Sequence, residues 1–216
     1  MEELESYHPF CNLNQDSLGD LKAIVHFKYY KKQEIVFYEE DKVSDIYFLL
    51  EGAVKAYKVD RFDNEIFFGI FKNGLLNDCK DKNKMATFVN IECLEDSLIA
   101  CFESDKLRLL FEKSPQILKL FFEESLKRVG VLEEIVQREL VFDSTAKIAY
   151  SLYSDLEEFN MHKKQENAAF LNIQPETLSR ILKKLHRDGV IQTNSLGKIE
   201  ILDSHRLQMI FKQEAK

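Results

Sequence analysis

The sequence lacks several features that would place the chain in a membrane, in an export pathway or among enzymes. Among its 216 residues, no apolar run approaches the roughly 20 residues that a transmembrane helix needs. The first ten residues, MEELESYHPF, are acidic and do not have the pattern of a signal peptide. Hydrolase motifs and phosphate-binding glycine loops are also absent. We therefore expect a cytoplasmic protein that is not an enzyme.

Cysteine and histidine are few, and their spacing does not predict a metal site. None of the four cysteines belongs to a C-x-x-C pair, so a structural zinc site is not expected. No histidine occurs between His26 and His162, whereas a cupin-type metal enzyme would need histidine and carboxylate ligands on adjacent strands. We expect reduced, buried thiols, with an exposed redox-sensing thiol as the alternative for Cys11 or Cys79. The four cysteines are Cys11, Cys79, Cys93 and Cys101.

Charge is distributed unevenly along the chain. The formal net charge is −7, but residues 161–190 contain six basic and three acidic residues. That segment therefore carries +3 and the remainder carries −10. An acidic body with a basic C-terminal segment is typical of a protein that docks on DNA through one face. Charge by itself also leaves open an ordinary solvated helix.

The N-terminal half predicts a short helix followed by a β domain. Leu13, Leu18, Leu21 and Val25 have helical spacing, and Asn14 or Asp16 is available near the N-cap. Residues 29–102 then contain segments rich in aromatic and β-branched residues, which are separated by turn signals. Short strands at this spacing predict an antiparallel barrel or roll. The clearest segments are 34–38, 46–50, 53–59 and 65–71.

Helical patterns dominate after the β domain. Residues 106–140 predict a helix with Ser114 as N-cap of its long part and Pro115 in the first turn. A seven-residue apolar repeat in this helix indicates a dimer interface, and packing on the chain's own β domain is the alternative. Residues 145–159 predict a further helix, with Asp143 or Ser144 as its N-cap. The repeat consists of Leu118, Phe122, Val129, Leu132 and Val136.

The most informative segment is 169–185, AFLNIQPETLSRILKKL. Two short amphipathic helices are predicted to meet there at a tight turn, and Glu176, Ser179 and Arg180 share one face of the second. Side chains of these types read base edges, so the segment predicts a helix-turn-helix rather than an ordinary helical hairpin. Residues 189–202 follow as two apolar strands around NSLG at 194–197, the pattern of a β-hairpin wing.

Together the elements predict an α+β chain in three parts. Residues 1–110 form an effector-sensing β-roll domain. Residues 111–142 form a dimerisation helix, and residues 143–216 form a winged helix-turn-helix domain that binds DNA.

Two segments resemble the Crp/Fnr family of bacterial transcription regulators, and the resemblance covers nearly the whole chain. FLLEGAVKAY at 48–57 is similar to part of the family's β roll, and LNIQPETLSRIL at 171–182 is the most specific match. The second segment is closest to the branch of the dissimilatory nitrate respiration regulators, which are haem-dependent nitric oxide sensors. The resemblance implies that the β roll is of the cyclic-nucleotide-binding-like kind, a double-stranded β-helix. It also implies a homodimer that binds double-stranded DNA and acts with RNA polymerase.

The resemblance also implies which side chains read DNA. Glu176 would accept a hydrogen bond from cytosine N4, and Arg180 would donate to guanine. Ser179 would contact a thymine or a phosphate, and Thr177 a phosphate. The implied half-site is TTGAT-like, in an inverted repeat.

Four further positions in or near this segment bear on DNA binding, and two of them depart from the family pattern. Lys183 and Lys184 are expected to contact DNA as well. Cyclic-AMP-type members carry a further arginine where this chain has Pro175. The DNA sequence preference of this chain should therefore resemble that of Fnr-like members. Lys163 stands near the start of the first helix, where a capping threonine or serine is usual.

Two effectors of the family are not expected here. Cyclic-nucleotide members hold the phosphate with two residue pairs that would fall near 78–79 and 87–88. No arginine occurs between Arg61 and Arg108, so a buried cyclic phosphate would lack its guanidinium partner and cyclic AMP is not expected. An iron–sulfur cluster is not expected either, because only Cys11 lies near the N-terminus. The missing arginine and the winged helix-turn-helix also argue against a regulatory module of a kinase or channel.

Haem stays open as an effector. His8 precedes the first helix, where the nitrate respiration regulators also carry histidine, and is the candidate axial ligand. A solvent-exposed terminal histidine is the alternative reading of His8. A thiol switch and an organic ligand are the other candidate effectors.

Overall fold

The computed structural model describes residues 3–77 and 87–212. The chain divides into two compact units, Met1–Glu133 and Glu134–Lys216. Asp78 and Cys79, which belong to the predicted effector region and the predicted thiols, lie outside the described residues. No helix in the described part of the chain is long and apolar enough to cross a membrane.

The first unit is a β roll with helices at both ends of its sequence. Its strands form two four-stranded sheets, in the orders β1-β8-β3-β6 and β2-β7-β4-β5. Every pairing is antiparallel, which confirms the predicted fold. The strands are β1 (Val25–Tyr30), β2 (Ile35–Phe37), β3 (Asp45–Glu51), β4 (Val54–Val59), β5 (Glu65–Phe71), β6 (Gly74–Leu75), β7 (Asn90–Cys93) and β8 (Ser97–Glu103). The helices are α1 (Gln15–Lys22), α2 (Ser104–Lys113) and α3 (Pro115–Val136), and short 3₁₀ turns occupy Leu4–Ser6 and Phe10–Asn12.

Local signals place the helix boundaries of this unit largely as predicted. The Asn14 side chain accepts a hydrogen bond from the Ser17 N–H at 2.8 Å and caps α1. Ser114 likewise accepts from the Ile117 N–H at 3.3 Å, directly before Pro115 at the start of α3. The prediction was wrong for Val25, which begins β1 instead of ending the helix.

Alternation along β3 divides the unit into two apolar clusters. Ile46 and Phe48 face a cluster that includes the helices, whereas Tyr47 and Leu49 face the interior of the roll. Side chains of a strand alternate between its two faces, so one strand supplies both clusters. The phenylalanines of the helix-facing cluster pack edge to face or tilted, with ring centroids 4.9 Å apart for Phe10 and Phe48.

The second unit contains the predicted helix-turn-helix and wing, with two differences from the prediction. The helix expected at 145–159 is broken at Asp155, whose side chain accepts from the Glu158 N–H at 2.9 Å and starts a new helix. The helix expected at 106–140 consists of α2 and α3, and a π-helical turn at Gln137–Val141 follows. The elements are α4 (Ser144–Ser154), α5 (Leu156–Met161), α6 (Lys164–Phe170), α7 (Pro175–Arg187), β9 (Ile191–Thr193), β10 (Ile199–Ile201) and α8 (Ser204–Phe211).

Gly52, at the turn between β3 and β4, should not tolerate a side chain. Its φ of +93° lies in the left-handed region, and a Cβ there would overlap Ser97 Oγ and lie 2.7 Å from the Asp96 carbonyl. We expect Gly52→Ala to lower the free energy of unfolding by about 2 kcal/mol or more, measured by denaturant titration. Gly19→Ala is the control because no atom lies within 4 Å of its Cβ position and alanine suits helix α1. Equal stability of the two variants would contradict this account.

Candidate nucleic-acid interface

The first helix of the motif, α6, begins without the usual hydroxyl cap. Lys163 occupies the N-cap position, and its backbone N–H donates to the Glu166 carboxylate at 2.8 Å. This hydrogen bond is one half of a capping box. Glu166 therefore compensates in part for the missing threonine or serine at the N-cap. Asn167 and Ala168 are buried and anchor the helix in the unit.

The tight turn between the helices contains a residue with a positive φ. Asn172 has a φ of +51°, in the left-handed region that asparagine tolerates better than most residues. Its N–H donates to the Ala169 carbonyl at 3.0 Å, and the Ile173 N–H donates to the Ala168 carbonyl at 3.0 Å. Pro175 then occupies the first position of α7, where its missing N–H has no helical partner.

Helix α7 is strongly amphipathic. Its apolar side is buried in the core of the second unit together with residues of α4 and the wing. Because this face is held by the core, the opposite, polar face is directed to solvent. The buried residues of α7 are Leu178, Ile181, Leu182 and Leu185.

The exposed face of α7 borders an open concavity of about 750 Å³ that only residues of α7 line. Five of the six residues predicted to contact DNA line it, and Thr177, which is half-buried, is not among the lining residues. The sequence reasoning missed Arg187, although its spacing of i+4 from Lys183 and i+7 from Arg180 could have placed it on this face. The lining residues are Pro175, Glu176, Ser179, Arg180, Lys183, Lys184 and Arg187.

The sign of the charged side chains on this face changes along α7. Glu176 lies in the first turn, where the helix dipole favours a carboxylate, and the charged residues that follow on the face are all basic. Arg187 lies 3.6 Å from the carboxylate of Asp188. Within the residues that the structure describes, no ion pair holds Arg180, Lys183 or Lys184, so these three cations are available to an anionic partner.

The wing flanks the same helix and is held firmly. Asn160 of the α5 segment donates to the Ile199 carbonyl at 2.9 Å and accepts from the Ile199 N–H at 2.8 Å. A second concavity of about 480 Å³ lies between α7 and the wing, and Lys164, Lys183 and Thr193 contribute to its lining. Cations on both sides of α7 suit a partner whose charged backbone passes on either side of the helix.

The candidate effector residues of the first unit have ordinary surroundings. His8 is exposed. The Thr87 hydroxyl donates to the Tyr38 carbonyl, while the Phe88 ring is exposed and lies 4.1 Å beneath the Lys58 ammonium. In residues 3–77 and 87–212, no group of three or more histidine, cysteine or carboxylate side chains could hold a metal ion.

The described cysteines differ sharply in exposure. Cys11 is exposed, whereas Cys93 and Cys101 are buried. Burial raises the pKa of the Cys101 thiol to about 12 and also raises the pKa of Cys93. Since the thiolate is the reactive form, Cys11 is the described cysteine best suited to redox chemistry.

Helix α3 exposes the predicted apolar repeat. All five repeat residues are more than two-fifths exposed, and Leu126, which the prediction omitted, adds to them. Leu126 lies between Phe122 and Val129, so the exposed apolar stripe is more continuous than the predicted repeat. The exposed residues are Leu118, Phe122, Leu126, Val129, Leu132 and Val136.

Comparison with known proteins matches both units. A family model described as a cyclic nucleotide-binding domain matches residues 27–114, and one described as a Crp-like helix-turn-helix domain matches residues 147–210. Together they cover more than two thirds of the chain. The chain belongs to the Crp/Fnr family. It combines the two domains of a Crp-like transcription regulator.

Similar proteins support this assignment along the full length. The CRP-like protein Clp of Xanthomonas campestris pv. campestris (strain B100) is 24% identical and is matched over 90% of this chain and 91% of its own. The solved structure of a CooA mutant from Carboxydothermus hydrogenoformans has a TM-score of 0.72, 16% identity and coverage of 98% and 96% of the two chains. FixK2 from Bradyrhizobium japonicum has a TM-score of 0.67, 14% identity and coverage of 89% and 100%. These two structures show the fold alone.

The left-handed turn of this Crp/Fnr protein can be tested at Asn172. We expect Asn172→Ala to lower the free energy of unfolding by about 1 kcal/mol more than Asn172→Gly, because glycine adopts a positive φ without steric cost. Both variants remove the same side-chain polar groups, so the difference between them isolates the backbone. Thermal or denaturant unfolding of the two variants measures it, and an alanine variant as stable as the glycine variant would disprove the role of the conformation.

Proposed function

We propose that this Crp/Fnr protein binds a TTGAT-like inverted repeat as a homodimer and is gated by an effector in its β roll. The observation that carries the proposal is the solvent-facing side of α7, where Glu176, Ser179 and Arg180 lie together. A helix with its side chains is about 10–12 Å across, and the DNA major groove is about 12 Å wide. With α7 in that groove, these three side chains reach the base edges.

The chemistry of the three residues supports the proposed half-site. The Arg180 guanidinium can donate two hydrogen bonds to guanine O6 and N7, and the Glu176 carboxylate can accept from cytosine N4. Ser179 is suited to either a base edge or a phosphate. Lys183, Lys184 and Arg187 follow on the C-terminal half of the helix and are placed to neutralise backbone phosphates.

The exposed stripe on α3 supports the proposed homodimer. Its residues recur at the spacing of a heptad, which allows two copies of α3 to pack along their length. A two-fold dimer would present two copies of α7 to an inverted repeat with half-sites about one helical turn apart. Effector binding would shift the two α3 helices against each other and so change the fit to the operator. Contact with RNA polymerase is the expected output of the bound dimer.

Haem is the effector carried over from the nitrate respiration branch, and the described residues give it little support. His8 is exposed, and the nearby Phe10 ring is fully buried against Phe48 and Phe102 instead of lining an open pocket. A redox switch would have to use Cys11 among the described thiols. The hypotheses of a haem, a thiol and an organic effector therefore have to be separated by experiment.

Base reading can be separated from phosphate contact with two substitutions. We expect Arg180→Ala to cost about 1–3 kcal/mol of binding to a TTGAT palindrome and to relax selection for guanine. Lys184→Ala should instead weaken binding to all sequences and reduce the slope of log Kd against log salt by about one. Fluorescence anisotropy with the palindrome and with duplexes substituted at guanine measures both effects.

Lys106→Ala is a matched control for these substitutions, because it removes an exposed lysine of the β-roll unit that pairs with Glu103. Its DNA affinity should equal that of the wild type. If Arg180→Ala bound the palindrome as tightly as the wild type, the assignment of Arg180 would be wrong.

Haem binding can be tested by absorption spectroscopy. A stoichiometric titration with a sharp Soret band, shifted by nitric oxide and weakened in His8→Ala, would support a haem-based sensor with His8 as a ligand. His205→Ala, at an exposed histidine of the second unit, should leave the spectrum unchanged. A featureless titration would remove haem and leave the thiol and organic-ligand hypotheses, with the DNA-binding proposal unaffected.

A further inference from the structure

Lys147 is a buried lysine in the unit that carries the helix-turn-helix. It lies on α4 with 8% of its surface exposed, although lysine is rarely buried without a partner. Its ammonium lies 2.5 Å from Glu139 Oε2 and 3.4 Å from the carbonyl oxygen of Leu171. Neither partner belongs to α4, so Lys147 joins two other segments of the unit.

The two partners occupy special positions. Glu139 lies in the π-helical turn Gln137–Val141, through which the chain enters the unit after α3. Leu171 is the C-cap that follows α6, and it directly precedes Asn172, the left-handed residue of the helix-turn-helix. Its carbonyl is therefore at the point where the angle between α6 and α7 is set.

Lys147, Glu139 and the Leu171 carbonyl form a network in which the Glu139 carboxylate has a second cationic partner. The Arg138 guanidinium donates to Glu139 Oε1 at 2.8 Å, so both carboxylate oxygens have a cationic partner. Burial acts to raise the pKa of Glu139, but the hydrogen bonds from Lys147 and Arg138 outweigh it and hold the pKa below its usual value. Glu139 is thus a carboxylate when the network is formed.

A buried ion pair contributes little to stability compared with an apolar residue of the same size, because both charges lose their hydration. Its geometry is nevertheless demanding, since moving Glu139 away leaves the Lys147 ammonium without its charge partner in the interior. Such a contact is suited to fixing a position. Here it relates the π-helical turn to the first residue of the recognition turn.

We propose that Lys147 is a positioning residue for DNA reading, which fixes the helix-turn-helix by joining Glu139 of the π-helical turn to the Leu171 carbonyl. The inference rests on the proposed DNA-binding function. A displacement of the π-helical turn that carries Glu139 away also withdraws Lys147 from Leu171, so the placement of α7 follows the conformation of the segment that precedes α4.

The test compares Lys147→Met, Lys147→Arg and Ile148→Val in the full chain. Methionine keeps the length of the side chain without the charge, and arginine keeps a donor for both partners. Ile148 is the adjacent, fully buried residue of α4, and valine in its place weakens packing without touching the network. Glu139→Gln removes the negative charge of the ion pair and remains informative if Lys147→Met does not fold.

The readouts are the Kd for the palindrome and for a scrambled duplex of the same length, each with its salt dependence. We expect Lys147→Met and Glu139→Gln to lower affinity for the palindrome at least tenfold, with less than a twofold change on the scrambled duplex and an unchanged salt slope. Lys147→Arg should remain within threefold of the wild type. Ile148→Val should lower the Tm without changing the ratio of the two affinities.

Hydrogen exchange provides a readout that does not depend on DNA. The amides of Asn172 and Ile173 should exchange at least tenfold faster in Lys147→Met, while the Leu207 amide of α8 is unaffected. A Lys147→Met variant with the wild-type affinity ratio and wild-type exchange in the turn would overturn the inference. Equal losses on both duplexes with a shallower salt slope would overturn it in favour of a direct phosphate contact. A wild type that did not distinguish the duplexes would contradict the proposed function, and the exchange rates would then decide the positioning role separately.

Discussion

The packing of the apolar side of α7 is the constraint on which the DNA-reading surface depends. Leu178, Ile181, Leu182 and Leu185 are held in the core of the second unit, so the helix cannot rotate about its axis without exposing them. Rotation by one residue in one direction would replace Arg180 at the solvent face with the buried Ile181. The apolar core therefore determines which polar side chains face solvent on the surface proposed to read DNA.

The first unit is held together by two apolar clusters on opposite faces of one sheet. Its β3 strand supplies alternate side chains to two clusters, and aromatic rings fill the cluster on the helix side. The thiols of Cys93 and Cys101 are part of the other cluster, in the roll interior, and burial keeps them protonated. The buried phenylalanines on the helix side and the thiols of Cys93 and Cys101 therefore serve the core.

Local signals made the helix-turn-helix predictable from the sequence. Pro175, Asn172 and the period of the leucines each act within a few residues: Pro175 starts α7, Asn172 takes the left-handed conformation of the turn, and the leucines are buried in the core. The break at Asp155 was missed because the same aspartate can continue a helix or cap a new one, and the sequence does not decide between them. The role of Lys147 could not be predicted either. Its partners lie 8 and 24 residues away, and nothing near Lys147 distinguishes it from a solvated lysine.

The exposed apolar stripe on α3 relates the stability and DNA occupancy of the protein to its concentration. An isolated chain leaves leucine, phenylalanine and valine side chains in water along several turns of one helix. Two chains that cover this surface stabilise each other by mass action, so the folded fraction and the Tm of the protein rise with its concentration. For the proposed two-fold operator, occupancy at low protein concentration would rise with the square of the monomer concentration, so the response to synthesis of the protein would be steeper than that of a monomeric binder.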